Sequence, residues 1–260
     1  MADTPPAYPS IVLHWLEKSR AQRILWLLEE LRVPYTVKTY KRDPKTTLAP
    51  RRLQKVHPLG KSPVLTIGDR VLAESGFITE YLCAHFAHPE STLVPPQWKP
   101  GCEGQVDGET EAWFRYRYYL HYCEGSLMTL LQMSFIPWSI KRAPTPFFLR
   151  PITSRIASKL SSFIGPSTTA HLSFLESQLA SAPDGGPYLC GPHLTGADIL
   201  ISFPLLVAQT QLDGAGTSLI TKDRYPRLYK YAALLRESEG CKRAIAKIVE
   251  VDGSYDGSFF

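Results

Sequence analysis

A chain of 260 residues with 44% hydrophobic content is long enough to bury the core of one large or two modest domains. Its 29 basic and 24 acidic residues are scattered, so the net charge of +5 favours anionic small molecules and does not predict nucleic-acid binding. Neither a long apolar run nor a signal peptide is evident, and the five cysteines lie far apart. We therefore expect a soluble, cytoplasmic protein without a disulfide framework or a metal site.

Strands and helices alternate through the first 88 residues, which is typical of an α/β domain. The predicted elements are a central strand (11–16), a helix (20–32), a strand (35–40), a short irregular helix (48–56), a two-stranded hairpin (64–67 and 70–73) and a helix (75–86). The predicted order is βαβαββα, in a domain that spans residues 9–88.

The segment "HPLGKSPVL" places a proline directly before the hairpin. Proline has no N–H for a sheet, so Pro63 fits the first strand position, and a cis Ser62–Pro63 bond would turn the preceding backbone towards an extended partner. Ser75 begins the next helix, where free N–H groups favour a carboxylate or a phosphate. The alternative is an ordinary hairpin followed by a serine N-cap.

After a proline-rich linker at residues 89–104, the chain is predicted to be helical from 105 to 250, followed by a tail at 251–260. Thr195 and Asp198 have capping-box spacing, with Leu194 and Ile199 placed as a hydrophobic staple. The predicted helices cover 107–135, which is rich in aromatic residues, 151–182, a buried stretch from 195 that Pro204 should bend, a stretch from Pro226, and 241–250.

Four motifs in this order resemble those of cytosolic-type glutathione S-transferases: "SRAQRILWLLEEL", "HPLGKSPVL", "AESGFITEYL" and "YLCGPHLTGADILISFPL". The likeness is greatest to fungal members with a serine-type site, and "YCEGSLM" adds to it. The resemblance covers almost the whole chain. It implies an α/β thioredoxin-like domain joined to an all-helical domain.

The resemblance implies that glutathione is the co-substrate. The backbone of Ser62 would pair with its cysteinyl part, as an added strand pairs with a sheet edge. Ser75 would bind the α-carboxylate of the γ-glutamyl end and Glu74 would face its amino group. Lys61 and His57 would bind the glycyl carboxylate. The alternatives are a solvated loop lysine and a helix-terminal histidine.

Conjugation needs a thiolate, and a free thiol with a pKa near 8.5 is only a few per cent ionised at neutral pH. Ser19 begins the first helix, at the position where serine-type transferases keep their catalytic hydroxyl; the alternative is a helix cap. The first strand ends on His14, Trp15 and Leu16 without a tyrosine, so tyrosine-type classes are disfavoured. No cysteine lies near Ser19, so mixed-disulfide chemistry is not expected.

The resemblance also suggests an electrophile pocket, which we assign to Trp15, Leu16, Tyr116 and Tyr119; core or dimer contacts are the alternative for the tyrosines. The 136–166 connection between the long helices mixes aromatic and basic residues. We expect it to pack in an ordinary way, with a cap over the electrophile or a membrane-surface contact as alternatives.

Three functions fit these residues. The first, which we prefer, is transfer of glutathione to a hydrophobic electrophile, in detoxification or secondary metabolism. The second is a glutathione-dependent cis/trans isomerase that adds the thiolate reversibly to a conjugated olefin. The third is a non-catalytic interaction module, which would not bind glutathione. The family resemblance also implies a homodimer.

Overall fold

A computed structural model describes residues 9–210 and 218–255 of the chain. Its sheet has the order β2-β1-β3-β4, with β1 parallel to β2 and antiparallel to β3, and β3 antiparallel to β4. The strands are β1 (Ile11–Leu16), β2 (Thr36–Tyr40), β3 (Val64–Ile67) and β4 (Arg70–Ala73). The central position predicted for the first strand is confirmed.

Two helices and a 3-10 helix complete this part of the fold: α1 (Ala21–Leu31), the 3-10 helix Arg51–Lys55 and α2 (Ser75–Phe86). The apolar face of α1 is fully buried at Ile24, Leu27 and Leu28, as its helical spacing predicts. The predicted βαβαββα order is confirmed, with the irregular helix reduced to a single 3-10 segment. The thioredoxin-like fold follows from this order and sheet topology.

His14 connects three neighbouring strands inside the sheet. Its ring lies 3.0 Å from the Tyr40 hydroxyl through Nδ1 and 2.9 Å from Thr66 Oγ1 through Nε2. Burial, and then the charge of Lys38, lower the pKa of His14 below its ordinary value of 6.5. His14 is therefore a neutral structural residue near neutral pH.

This environment predicts an acid-sensitive fold. The unfolded chain takes up a proton at His14 as the pH falls through about 6.5, while the folded protein resists that proton, so the free energy of unfolding should decrease from about pH 7.5 to about pH 5. His14→Gln should be less stable at neutral pH but should lose less stability on acidification. Urea unfolding at both pH values measures this, and equal losses in the two proteins would contradict it.

The described residues that follow α2 are mainly helical. The helices are α3 (Glu111–Tyr122), α4 (Thr129–Arg142), α5 (Arg150–Ala180), α6 (Gly196–Thr210), α7 (Pro226–Glu237) and α8 (Glu239–Asp252). Pro226 occupies the first turn of α7, as predicted.

The long aromatic helix differs from its prediction. It begins at Glu111, where the Thr110 side chain accepts a hydrogen bond from the N–H of Trp113, and not at residue 107. A π-helical turn at Cys123–Met128 then separates α3 from α4, and helix continues to Arg142, past the predicted end at 135. Sequence periodicity does not show such a turn because one extra residue per turn shifts the pattern without ending the helix.

The connection between the long helices is also shorter than predicted. Only residues 143–149 separate α4 from α5, and they include the 3-10 turn Phe147–Leu149. The expectation of ordinary packing is wrong for Phe147 and Phe148, whose side chains are exposed.

The capping box at the start of α6 is confirmed. The N–H of Thr195 donates to Asp198 Oδ2 at 2.8 Å, and the N–H of Asp198 donates to Thr195 Oγ1 at 3.4 Å. Asp198 is fully buried and also accepts from the N–H of Leu189 and the hydroxyl of Tyr231. Burial raises the pKa of Asp198, against these hydrogen bonds, which favour the carboxylate.

The described residues form two compact units, one that combines those up to Ser91 with those from Glu237, and one that lies between Thr92 and Arg236. The sequence places residues 237–250 with the helical domain, but α8 packs against α1. Arg243 donates to Glu29, and Trp15 Nε1 donates to Asp252 at 2.7 Å. Helix α8 thus includes the start of the predicted 251–260 tail, whose residues 256–260 lie outside the described range. None of the described helices combines the length and apolar character that crossing a membrane requires.

Candidate active site

The strand register explains why distant segments meet at one edge of the sheet. Val64 pairs with His14 of β1 and with Ala73 of β4, and both neighbours are antiparallel to β3. The end of β1, the start of β3 and the end of β4 therefore lie together. The residues that follow or precede these ends are Ser19, Ser62, Glu74 and Ser75.

Ser19 is buried at the start of α1. Its Oγ accepts a hydrogen bond from the N–H of Ala21 at 3.2 Å and lies 3.0 Å from Ser62 Oγ. When Ser62 donates, both lone pairs of Ser19 Oγ are used, and the Ser19 proton is available for a third group. Arg20, and not Ser19, occupies the N-cap position of α1, so Ser19 is not the helix cap of the alternative interpretation. Its hydroxyl accepts from the first N–H of α1 and keeps a donor for an anion.

Arg42 holds the segment that carries Ser19. Its guanidinium donates to the carbonyl oxygens of Glu17, Lys18 and Thr47, and its N–H donates to Glu17 Oε1 at 2.6 Å. Lys18 has a left-handed backbone, with φ of 48°. This conformation is uncommon for a residue with a side chain, so the carbonyl contacts of Arg42 help to fix the turn before Ser19.

The Ser62–Pro63 peptide bond is cis, as predicted, and Pro63 is buried directly before β3. In the part of the chain that the structure describes, neither the N–H nor the C=O of Ser62 has a hydrogen-bond partner. Ser62 is half-buried, and unpaired backbone groups in such a place are costly unless a partner binds them. They are suited to an extended peptide-like group.

Ser75 is the first residue of α2 and is buried. The alternative of a serine N-cap is wrong, because Glu74 occupies the N-cap position and the Ser75 hydroxyl accepts from Arg23 Nη2 at 2.8 Å. Arg23 itself is buried on α1. The helix N-terminus and a buried guanidinium thus both place positive charge beside Ser75.

Arg23 and Arg42 are the residues of this site that the sequence analysis missed. Arg23 falls at i, i+1, i+4 and i+5 spacing with the apolar residues Ile24, Leu27 and Leu28. A cation inside an apolar helical stripe is a signal for a buried ion or hydrogen-bond partner, and it was available in the sequence. Arg42 gave no such signal, because its partners are backbone carbonyls.

Glu74 is exposed and has a left-handed backbone, with φ of 69° and ψ of 113°. Its side chain forms no capping hydrogen bond. Such strained non-glycine residues cost about 1–3 kcal/mol and are concentrated at functional sites. Within the described part of the chain no ion pair involves its carboxylate, which lies at the same edge of the sheet, next to Ser75.

His57 and Lys61 lie in the loop before the cis proline. Lys61 is exposed and His57 is half-buried. Gly60 between them has φ of 57°, and a Cβ there would lie 2.6 Å from Gln54 Cγ, so the turn that directs Lys61 requires glycine.

The four residues assigned to an electrophile pocket are all buried. Leu16 packs with Tyr40 and Leu53, and Trp15 donates to Asp252. Tyr119 donates to Gln178 Oε1 at 3.1 Å, and burial raises the pKa of its phenol. These positions do not favour direct contact with a substrate, and the pocket assignment stays a prediction that rests on the resemblance.

Comparison with known proteins agrees with this geometry. Residues 9–84 match the family model of the glutathione S-transferase N-terminal domain. Glutathione S-transferase 1 of Saccharomyces cerevisiae is 34% identical over 89% of this chain and 92% of its own length. Glutathione S-transferase 3 of Schizosaccharomyces pombe is 29% identical over 92% of this chain and 88% of its own length.

A crystal structure of a glutathione S-transferase from Actinobacillus pleuropneumoniae has a TM-score of 0.65 to this chain, with 28% identity and 96% of both chains covered. The serine-lined edge beside a cis proline, the two-part fold and the likeness to the yeast protein over most of both sequences agree with one another. The chain therefore belongs to the glutathione S-transferase family.

Proposed function

We propose that this protein is a glutathione transferase that ionises the thiol of glutathione and adds it to a hydrophobic electrophile. The observation that carries the proposal is the Ser19 hydroxyl, 3.0 Å from Ser62 Oγ, beside the unpaired backbone of Ser62. The Ser62 backbone would pair with the cysteinyl residue, which brings its sulfur to Ser19. The Ser19 proton would then stabilise the thiolate.

The remaining groups would hold the two ends of the tripeptide. The α-carboxylate of the γ-glutamyl end would accept from the N–H and hydroxyl of Ser75, with Arg23 behind it. Glu74 would pair with the α-amino group. Lys61, helped by His57, would face the glycyl carboxylate. Binding the whole tripeptide in this way fixes the thiol for attack.

The chemistry is nucleophilic displacement or addition. The thiolate electron pair forms a carbon–sulfur bond, and either a leaving group such as halide departs or, for an enone, a proton is taken up at the α-carbon. The protein would act as a cytoplasmic homodimer, and the identity of the electrophile would decide between detoxification and secondary metabolism. Mass detection of products from aryl halides, enones and conjugated polyenes distinguishes transfer from isomerisation, because isomerisation gives no glutathione adduct.

The glutathione site has a direct test in the double variant Glu74→Ala/Ser75→Ala. It removes the proposed partners of both charged groups of the γ-glutamyl end, so calorimetry should show affinity reduced about 100-fold or more. The chain offers a matched control in another Glu-Ser pair, Glu90 and Ser91, outside the site. Glu90→Ala/Ser91→Ala should bind like the parent. Equal affinity of all three proteins would show that the assigned site is wrong.

Arg23 gives a second prediction at this site. Arg23→Met should retain the volume of the side chain but remove the hydrogen bond to Ser75 and the positive charge behind it. Because a hydrogen bond from a charged group is worth about 1.5–3 kcal/mol, glutathione affinity should fall by roughly 10- to 150-fold. The thiol pKa of bound glutathione should change little, since Ser19 is intact. A purely structural role would instead lower stability without a matching loss of affinity in the folded fraction.

A further inference from the structure

The turn between α4 and α5 exposes a group of large apolar side chains. We define the hairpin tip as residues 141–163, the end of α4, the connection and the start of α5. Phe147 is 80% exposed and Phe148 is 64% exposed, and Phe163, further along α5, is 78% exposed. The two adjacent phenylalanines meet edge to face, with centroids 5.6 Å apart. Apolar residues exposed together in this way indicate a surface that contacts another apolar phase.

The apolar residues continue as one stripe along α5. Leu149, Ile152, Ile156 and Phe163 recur at helical spacing, and all four are exposed. On an α-helix, residues three, four and seven positions apart share one face. Arg155 and Lys159 lie along the edge of that face and are also exposed. This is the pattern of a helix that lies at an interface between water and lipid.

The charge of this region has one sign. The sequence contains no Asp or Glu between Glu124 and Glu176, whereas it has five Lys and Arg there: Lys141, Arg142, Arg150, Arg155 and Lys159. Among the described residues none of these five forms an ion pair. The tip therefore keeps its full positive charge for a binding partner.

Three of these cations line a cleft beside the phenylalanines. It has a volume of about 410 Å³ and is bordered by Lys141, Arg142 and Arg150, with the hydroxyls of Thr145, Thr153 and Ser154. Arg142 is held over the Trp138 ring, 4.6 Å from its centroid. The hydroxyls of Thr145 and Thr153 already donate to the carbonyl oxygens of Ala143 and Arg150, so the three cations are the groups of this cleft that are suited to phosphate oxygens.

We propose that the hairpin tip binds the surface of an anionic lipid membrane, with the phenylalanines at the acyl boundary and the cleft on a lipid phosphate. Charge complementarity favours this partner, because cytoplasmic leaflets are negatively charged. A second copy of the tip is a less favourable partner, because its five cations would repel the five cations of the first. Leu149, Ile152 and Ile156 match hydrocarbon and, being aliphatic, offer neither hydrogen bonds nor ring stacking to a nucleic acid.

The test is sedimentation of the full-length protein with vesicles. Vesicles of phosphatidylcholine with about 30% phosphatidylserine should bind the protein, and pure phosphatidylcholine should bind it at least about 10-fold more weakly. Raising the salt to about 0.5 M should release it, because surface electrostatics are screened. Equal binding to both kinds of vesicle, or none to either, would overturn the proposal.

Two variants with matched controls locate the contact. Lys141→Gln/Arg142→Gln should weaken binding roughly 30-fold, at about 5-fold for each cation. Lys222→Gln/Arg224→Gln removes another exposed pair of cations, in which Arg224 also lies over an aromatic ring, and this control should bind vesicles like the parent.

The apolar contribution has its own pair of variants. Phe148→Ser should weaken vesicle binding about 10-fold. Phe114→Ser, on α3 with a similar exposure of 60%, should not.

Circular dichroism and conjugation in solution would show that the variants are folded, since the tip carries none of the proposed catalytic residues. The proposal would be overturned if the tip variants and their controls bound vesicles equally. It would also be overturned if sedimentation equilibrium showed a dimer that Phe148→Ser alone dissociates, because the occupant would then be a second copy. Competition by an oligonucleotide in place of lipid would likewise assign the surface to another partner.

Discussion

Ser19→Ala is expected to reduce the rate of glutathione conjugation at neutral pH by roughly 10- to 150-fold, while glutathione affinity changes little. The variant removes the proton that would be donated to the thiolate, and a hydrogen bond to a charged acceptor is worth about 1.5–3 kcal/mol. The Ser62 hydroxyl, 3.0 Å away, and the N–H of Ala21 remain. Some stabilisation of the thiolate should therefore persist.

Ultraviolet absorbance of the bound thiolate measures the effect directly. The thiol pKa in the Ser19→Ala complex should be higher by about one to two units, and the pH–rate profile should move to higher pH by the same amount. Ser62→Ala is the matched comparison, because it removes the neighbouring hydroxyl but leaves the Ser19 proton. We expect it to reduce the rate less than Ser19→Ala.

Two outcomes would contradict this role. If Ser19→Ala titrated and turned over like the parent, the serine would only serve the helix end, and the donor would have to be a backbone amide or Arg20. If Ser62→Ala alone raised the thiol pKa, the two hydroxyls would have exchanged roles.

Asp198→Ala is expected to destabilise the helical unit by about 3–5 kcal/mol. The substitution leaves the N–H groups of Thr195 and Leu189 and the hydroxyl of Tyr231 buried without their shared acceptor. Removing one partner from a buried charged network costs this much because the other groups stay desolvated. The start of α6 also loses its capping box.

Urea unfolding followed by circular dichroism measures this destabilisation. Asp198→Asn should lose less stability than Asp198→Ala, because the amide oxygen of asparagine still accepts hydrogen bonds. It should still be less stable than the parent, because the amide nitrogen cannot accept from Thr195. Asp223→Ala, at an exposed position just before α7, should stay within about 0.5 kcal/mol of the parent. A midpoint for Asp198→Ala close to that of Asp223→Ala would mean that the buried carboxylate contributes no net stability.

Local sequence patterns were sufficient for most of the fold. The hairpin around Gly68-Asp69, the helix at 75–86 and the Thr195–Asp198 capping box depend on residues close together in the chain, so their spacing predicts them. Proline likewise restricted where β3 could begin, because it has no N–H to donate. The family resemblance indicated which residues should bind glutathione. The strand register brings four of them, Ser19, Ser62, Glu74 and Ser75, to one edge of the sheet.

Only the tertiary structure decided which partners these residues have. The sequence predicts a helix at 241–250, but the spacing of its residues does not identify the helix against which it packs, and here that helix is α1. The same limit applies to Arg23, whose buried position the pattern could indicate but whose contact with Ser75 depends on the packing of α1 against α2. Ser62 and Ser19 are 43 positions apart and meet only through the register of β1 and β3. Sequence spacing indicates which faces are apolar and which hydrogen bonds are local, whereas the burial of a face and the meeting of distant side chains depend on how the elements pack.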